Sequence, residues 1–89
     1  MKQTHVILGV HVRDRIQDAG RVQQLFGEYG CNIRTRVGLH QVDDDFCSPG
    51  GVILLEIHGG EAVADELAAK LNAIEAVEVQ KLVFAHPGE

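Results

Sequence analysis

The sequence predicts an α+β domain in which four strands and two helices follow one another as β-α-β-β-α-β. Three observations lead there: strand-like alternation at both ends of each half, an amphipathic helical stripe within each half, and a turn-rich acidic stretch between the halves. Two strand-helix-strand units joined by a hairpin make the ferredoxin-like split βαβ arrangement. That predicts a four-stranded antiparallel sheet in the order 4-1-3-2, with two helices on one face.

Residues 4–12 read as the first strand, with Val6, Leu8, Val10 and Val12 on the face that meets the helices and His5, Ile7, Gly9 and His11 on the other. Asp14 is an expected N-cap, because its carboxylate can accept a hydrogen bond from a first-turn N–H that has no helical partner. Ala19, Val22, Phe26 and Tyr29, widened by Leu25, form one face of a helix over residues 15–29. Gly30 is expected to stop that helix by taking positive φ. Residues 31–42 then alternate as a strand, with Asn32, Arg34, Arg36 and His40 expected on the helix-free face.

The stretch from Asp43 through Asp44, Asp45, Phe46, Cys47, Ser48 and Pro49 to Gly51 reads as a hairpin loop. Its three successive aspartates lack the alternating ligands, central glycine and terminal glutamate of a calcium loop. Residues 52–58 suit a central strand, with Ile53, Leu55 and Ile57 inward and Leu54, Glu56 and His58 outward. Gly59-Gly60 breaks it. Val63, Leu67, Leu71 and Ile74 mark a second helix over residues 61–75, and residues 76–85 close the sheet. With no linker or low-complexity segment, residues 1–89 read as a single domain.

Asp14-Arg15-Ile16-Gln17, the stripe Ala19, Val22, Leu25 and Phe26, and Gly30-Cys31-Asn32-Ile33 fall in the register of a known pattern. This stretch resembles the ACT domain, a small regulatory module reading roughly Asp-Arg-Pro-Gly, a helical stripe, then Gly-x-Asn-Ile. Val12-x-Asp14-Arg15 and Arg36-Val37-Gly38 look closer still to a stand-alone ACT-like branch, the iron-only hydrogenase system regulators. The resemblance implies a non-catalytic module that senses a small effector or modulates a partner. In amino-acid-binding ACT domains the effector sits near the loop before the first helix and the Gly-x-Asn-Ile turn. Here Ile16-Gln17 stands in place of Pro-Gly.

The chain's 89 residues allow one core that is only just sufficient, so oligomerisation would help. Hydrophobic content of 45% and charged content of 24% are those of an ordinary globular protein. A formal charge of −5 argues against direct nucleic-acid binding, which clustered Lys and Arg carry. Cys31 and Cys47 form no C-x-x-C pair and are expected to be reduced. The chain shows no signal-peptide pattern and no apolar run of membrane-helix length, so a cytoplasmic location without a membrane partner is expected.

With both helices on one face, the other face of the sheet is bare and carries Ile7, Gly9, Val52, Leu54, Leu82 and Phe84. It is the expected interface of a homodimer or larger assembly. Asn32, Arg34 and Arg36 are the candidate ligand-binding residues, since a pair of guanidinium groups can fork a carboxylate or phosphate. The alternative is a metal-responsive module using a divalent transition metal on His11, His40 and Cys47, or on His5 and His58. Nickel-responsive regulators carry a similar ACT-like domain, but their compact His-x-His plus cysteine pattern is missing here. Beyond such a metal, the sequence implies no required cofactor. A small ferredoxin-like enzyme is the third reading: no nucleophile-base motif is present, and the glycine-rich loop of acylphosphatase, the C-x-x-C of metallochaperones and the exposed aromatics of RNA-recognition motifs are all missing.

Overall fold

The computed structural model describes residues 3–13, 15–42 and 47–86, with side chains over 4–13, 20–39 and 51–85. Alternation builds the first strand, β1 (Gln3–Val12), and sends Val6, Leu8 and Val10 fully into the core. Helix α1 (Arg15–Glu28) follows and buries Val22, Leu25 and Phe26 on one side, with Tyr29 just beyond its end. The expected N-cap, Asp14, lies outside the described residues.

Gly30 stops this helix by another route than expected. The described glycines with positive φ are Gly59 and Gly60, so Gly30 needs no left-handed conformation. Instead the chain tightens into a 3₁₀ turn over Gly30–Asn32, in which Asn32 N–H and Ile33 N–H both donate to the Tyr29 carbonyl at 2.8 and 3.1 Å.

Strand β2 (Ile33–Val42) pairs with β3 (Cys47–Ile57), which in turn pairs with β1. The third strand thus starts earlier than the predicted 52. Residues 47–50, rich in turn formers, have only β2 beside them, because β1 reaches no further than Gly51. Pro49 falls in the register irregularity between the His40–Gly51 and Val42–Cys47 pairs, a place where a strand tolerates proline because no ladder bond is required of it. Of the predicted hairpin loop, residues 43–46 lie outside the described residues.

Gly59 and Gly60 turn the chain into α2 (Glu61–Asn72), shorter than the predicted 61–75, and β4 (Val77–His86) completes the sheet. The sheet order is β2-β3-β1-β4 with every pairing antiparallel, the order expected of the ferredoxin-like α+β fold. Leu67 and Leu71 of α2 are fully buried against the sheet beside Leu8, Leu25 and Leu55. Each such side chain contributes about 2 kcal/mol by leaving water. Lys81 of β4 reaches over the core's edge to Glu61 at 2.7 Å and to Asp65, tying the last strand to α2.

One strand departs from its expected orientation. Ile33 packs against the core, but a register irregularity between Ile33 and Thr35 inserts an extra residue. Downstream parity is therefore inverted. Thr35, Val37 and Leu39 lie opposite Glu56, Leu54 and Val52 on the helix-free face. Arg36 faces the helices, its guanidinium carbon 5.3 Å from the ring centre of Phe26.

Candidate functional site

The helix-free face is where unsatisfied surface and polar groups coincide. Along β1 it presents His5, Ile7, Gly9 and His11, which pair with Glu56, Leu54 and Val52 on one side and with Phe84, Leu82, Gln80 and Glu78 on the other. Val37 is 44% exposed, Leu39 49%, Leu54 36%, Leu82 54% and Phe84 52%, although all are large and apolar. An open depression of about 300 Å³ lies among His5, Ile7, Thr35, Val37, Leu54 and Glu56. A second, of about 280 Å³, is floored by Gly9 and walled by His11, Val52, Glu78 and Gln80.

Glu56 is held from two sides on this face. Thr35 Oγ1 donates to its Oε1 at 2.7 Å, and His5 Nε2 lies 2.7 Å from its Oε2. Those two bonds, the threonine's the stronger influence, hold its carboxyl below the usual glutamate range, with the positive field of His5 and Arg34 adding to the effect. Across the sheet His11 sits 3.8 Å from Glu78, a loose pair. Residue patterning alone places Glu56 on this face, but Thr35 joins it only through the irregularity in β2.

A second constellation closes the end of the sheet. Asn32 Nδ2 donates to the His58 carbonyl at 3.0 Å, while His58 N–H donates back to the Asn32 carbonyl at 2.6 Å. Arg34 donates from its guanidinium to His58 Nδ1 at 3.1 Å. Asn32 and Arg34 are thus brought together and Arg36 is not. The Asn32 amide braces the turn after β3, and a Cβ on Gly59 would lie 2.8 Å from it.

The histidines proposed for metal are dispersed. His5 is engaged with Glu56 and His58 Nδ1 accepts from Arg34, which places a cation beside a would-be ligand. His40 lies on β2 opposite Gly51, and Cys47 opposite Val42, but their side chains lie outside the described residues. Among the described residues no group of three or more His, Cys, Asp or Glu side chains is gathered as a metal site requires. Cys31 is a free, exposed thiol. No helix among the described residues is long and apolar enough to cross a membrane.

No family model matches the chain, and no curated protein does. Among solved structures, the uncharacterized protein TM1266 from Thermotoga maritima is similar to it, with a TM-score of 0.76 at 25% sequence identity. The likeness covers 94% of this chain and 99% of that one. It supports the ferredoxin-like fold over nearly the whole chain and brings no activity with it.

Proposed function

We propose that the chain is a non-catalytic regulatory module of the ACT-like kind, acting as a homodimer or larger assembly joined through its open sheet face. The observation that carries this reading is the row of half-exposed apolar side chains on that face, Val37, Leu39, Leu54, Leu82 and Phe84. Contiguous apolar surface of this sort marks an interaction site more often than a solvated face. The face also carries a glutamate whose two oxygens already have partners within the chain, which lowers the cost of covering it.

The ACT-like assignment is supported by the ferredoxin-like fold together with the register of Asp14-Arg15 and Gly30-Cys31-Asn32-Ile33. A role in an iron-only hydrogenase system rests on resemblance alone. For an effector, Arg34 is the residue of choice: His58 takes one of its five N–H donors and the rest can grip a carboxylate or phosphate. Asn32 contributes by holding the turn in place. A thermal-shift panel of amino acids, nucleotides and divalent metals tests the sensing role, since a ligand that prefers the folded state raises its melting temperature. An effector should raise it in the wild type and lose that effect in Arg34→Ala. A panel in which nothing shifts the wild-type transition would remove the sensing half of the proposal.

A further inference from the structure

We propose that two copies of this chain pair face to face about a twofold axis along the apolar diagonal of the open sheet, so that the two sheets cross steeply, at about 70°. The proposal rests on the assembly reading above and adds the orientation of the partner.

The open face is not uniformly apolar. Stepping one strand across and one row down each time, the register places Leu39, Leu54, Ile7 and Phe84 on a single diagonal over β2, β3, β1 and β4. The two corners off this diagonal are polar. Glu78 lies at one, and the Arg34–His58 pair with Glu56 lies towards the other.

A twofold interface is isologous, so each position must suit its own mirror position. Four simple axes lie in the plane of the face. An axis along the strands sets β2 against β4 of the partner and lays Leu39 over the partner's Glu78. An axis across the strands lays Leu54 over the partner's Glu56. Both bury apolar groups against charge. The remaining two run along the diagonals, and each brings apolar groups onto apolar groups. Charge separates them. The diagonal through Glu78, Gly9 and Glu56 would face each glutamate with its own copy. The diagonal through Leu39, Leu54, Ile7 and Phe84 instead keeps each glutamate off its own copy, bringing Glu78 to the partner's β2 edge, within reach of Arg34, and Glu56 over the partner's Gly9. Gly9 has room for it: even an added Cβ there would meet nothing nearer than 3.8 Å. Each step of this diagonal goes about 4.8 Å across and about 6.8 Å along the strands, so the axis lies about 35° from them and the sheets cross at about 70°, nearer the orthogonal than the aligned arrangement of sheet pairs.

The area is adequate. Four strands about 4.8 Å apart, over roughly seven residues of about 3.4 Å each, give about 450 Å² per face before side-chain relief is counted. Two faces reach the order of 1,000 Å², the threshold for a specific interface.

The test is thiol crosslinking in a Cys31→Ser, Cys47→Ser background, using a bismaleimide that spans about 10 Å, the spacing of facing sheets. Leu39→Cys and Phe84→Cys change exposed side chains, so the fold has little to lose. Light scattering on each variant first establishes the assembled state. Each variant alone should crosslink to its own copy, and a mixture of the two should give no mixed product. A Leu39–Phe84 mixed product would assign the other diagonal and overturn the proposal. So would a mixed product of Leu39→Cys with Glu78→Cys, or an assembled protein in which neither single variant crosslinks. In those cases the mass still reports an assembly, whereas a monomer would remove the assembly reading and the orientation with it. As a second readout, Glu78→Arg and Arg34→Glu should each weaken pairing several-fold and the double swap should restore it.

Discussion

Replacing Gly59 with alanine should destabilise the protein by about 2–3 kcal/mol, from two sources. Gly59 has φ of 116°, a region an L-residue enters at a cost of about 1–2 kcal/mol. The new Cβ would also sit 2.8 Å from Asn32 Nδ2, so the amide must swing away and give up its 3.0 Å bond to the His58 carbonyl. Losing that bond costs about 1 kcal/mol. For a domain of this size the sum lowers the melting temperature by roughly 10–20 °C. Urea unfolding followed by far-UV circular dichroism, at one fixed chain concentration, measures it, since assembly and folding are linked. Asn32→Ala should cost about 1 kcal/mol alone. Combined with Gly59→Ala it should cost less than the sum, because the clash it would relieve is gone. A Gly59→Ala protein within about 0.5 kcal/mol of wild type would refute the bracing role given to Asn32.

Three further outcomes are expected. Because the Glu56 carboxyl is held below its ordinary value of 4.5, its bonds to Thr35 and His5 stabilise the fold above that pH and are lost as pH falls through the lowered value; Glu56→Gln should flatten this acid limb, and an unchanged pH profile would contradict the cause assigned. Cys31 should react with a thiol reagent in the native protein at the rate of an exposed thiol, and protection until unfolding would contradict its place on the surface. Dialysis against zinc or nickel should leave no stoichiometric ion, given that Arg34 already occupies His58 Nδ1; a bound ion lost on replacing His40 and Cys47 with alanine would restore the metal-responsive reading.

The sheet was legible in the sequence wherever one face of a strand is buried. Val6, Leu8, Val10 and Val12 alternate strictly because α1 and α2 cover that side of β1, and Leu55 and Ile57 on β3 obey the same rule. Strand β2 departs from the expected orientation for a physical reason. It lies at the sheet edge, apolar residues occupy its exposed side, and the irregularity between Ile33 and Thr35 leaves no trace in the hydrophobic pattern. Arg36 consequently faces the helices and Thr35 meets Glu56 on the open face. The early start of β3 was hidden similarly, since Ser48-Pro49-Gly50 are turn residues by composition and sit in a register irregularity between the His40–Gly51 and Val42–Cys47 pairs that hold this end of β3 against β2. Asn32 was visible as part of a turn motif, but its bond to His58 joins residues 26 apart and depends on the tertiary fold.

Light scattering on the wild-type chain and on Leu54→Asp, across micromolar to tens of micromolar concentration, tests the central claim most directly. Leu54 keeps 36% of its surface in water within one chain, and covering the remainder recovers somewhat under 1 kcal/mol per copy. An aspartate there also brings a charge into apolar surroundings, so the assembly should dissociate by well over tenfold. The wild type should be a dimer or larger and Leu54→Asp a folded monomer. A wild-type chain that is monomeric at tens of micromolar would contradict it.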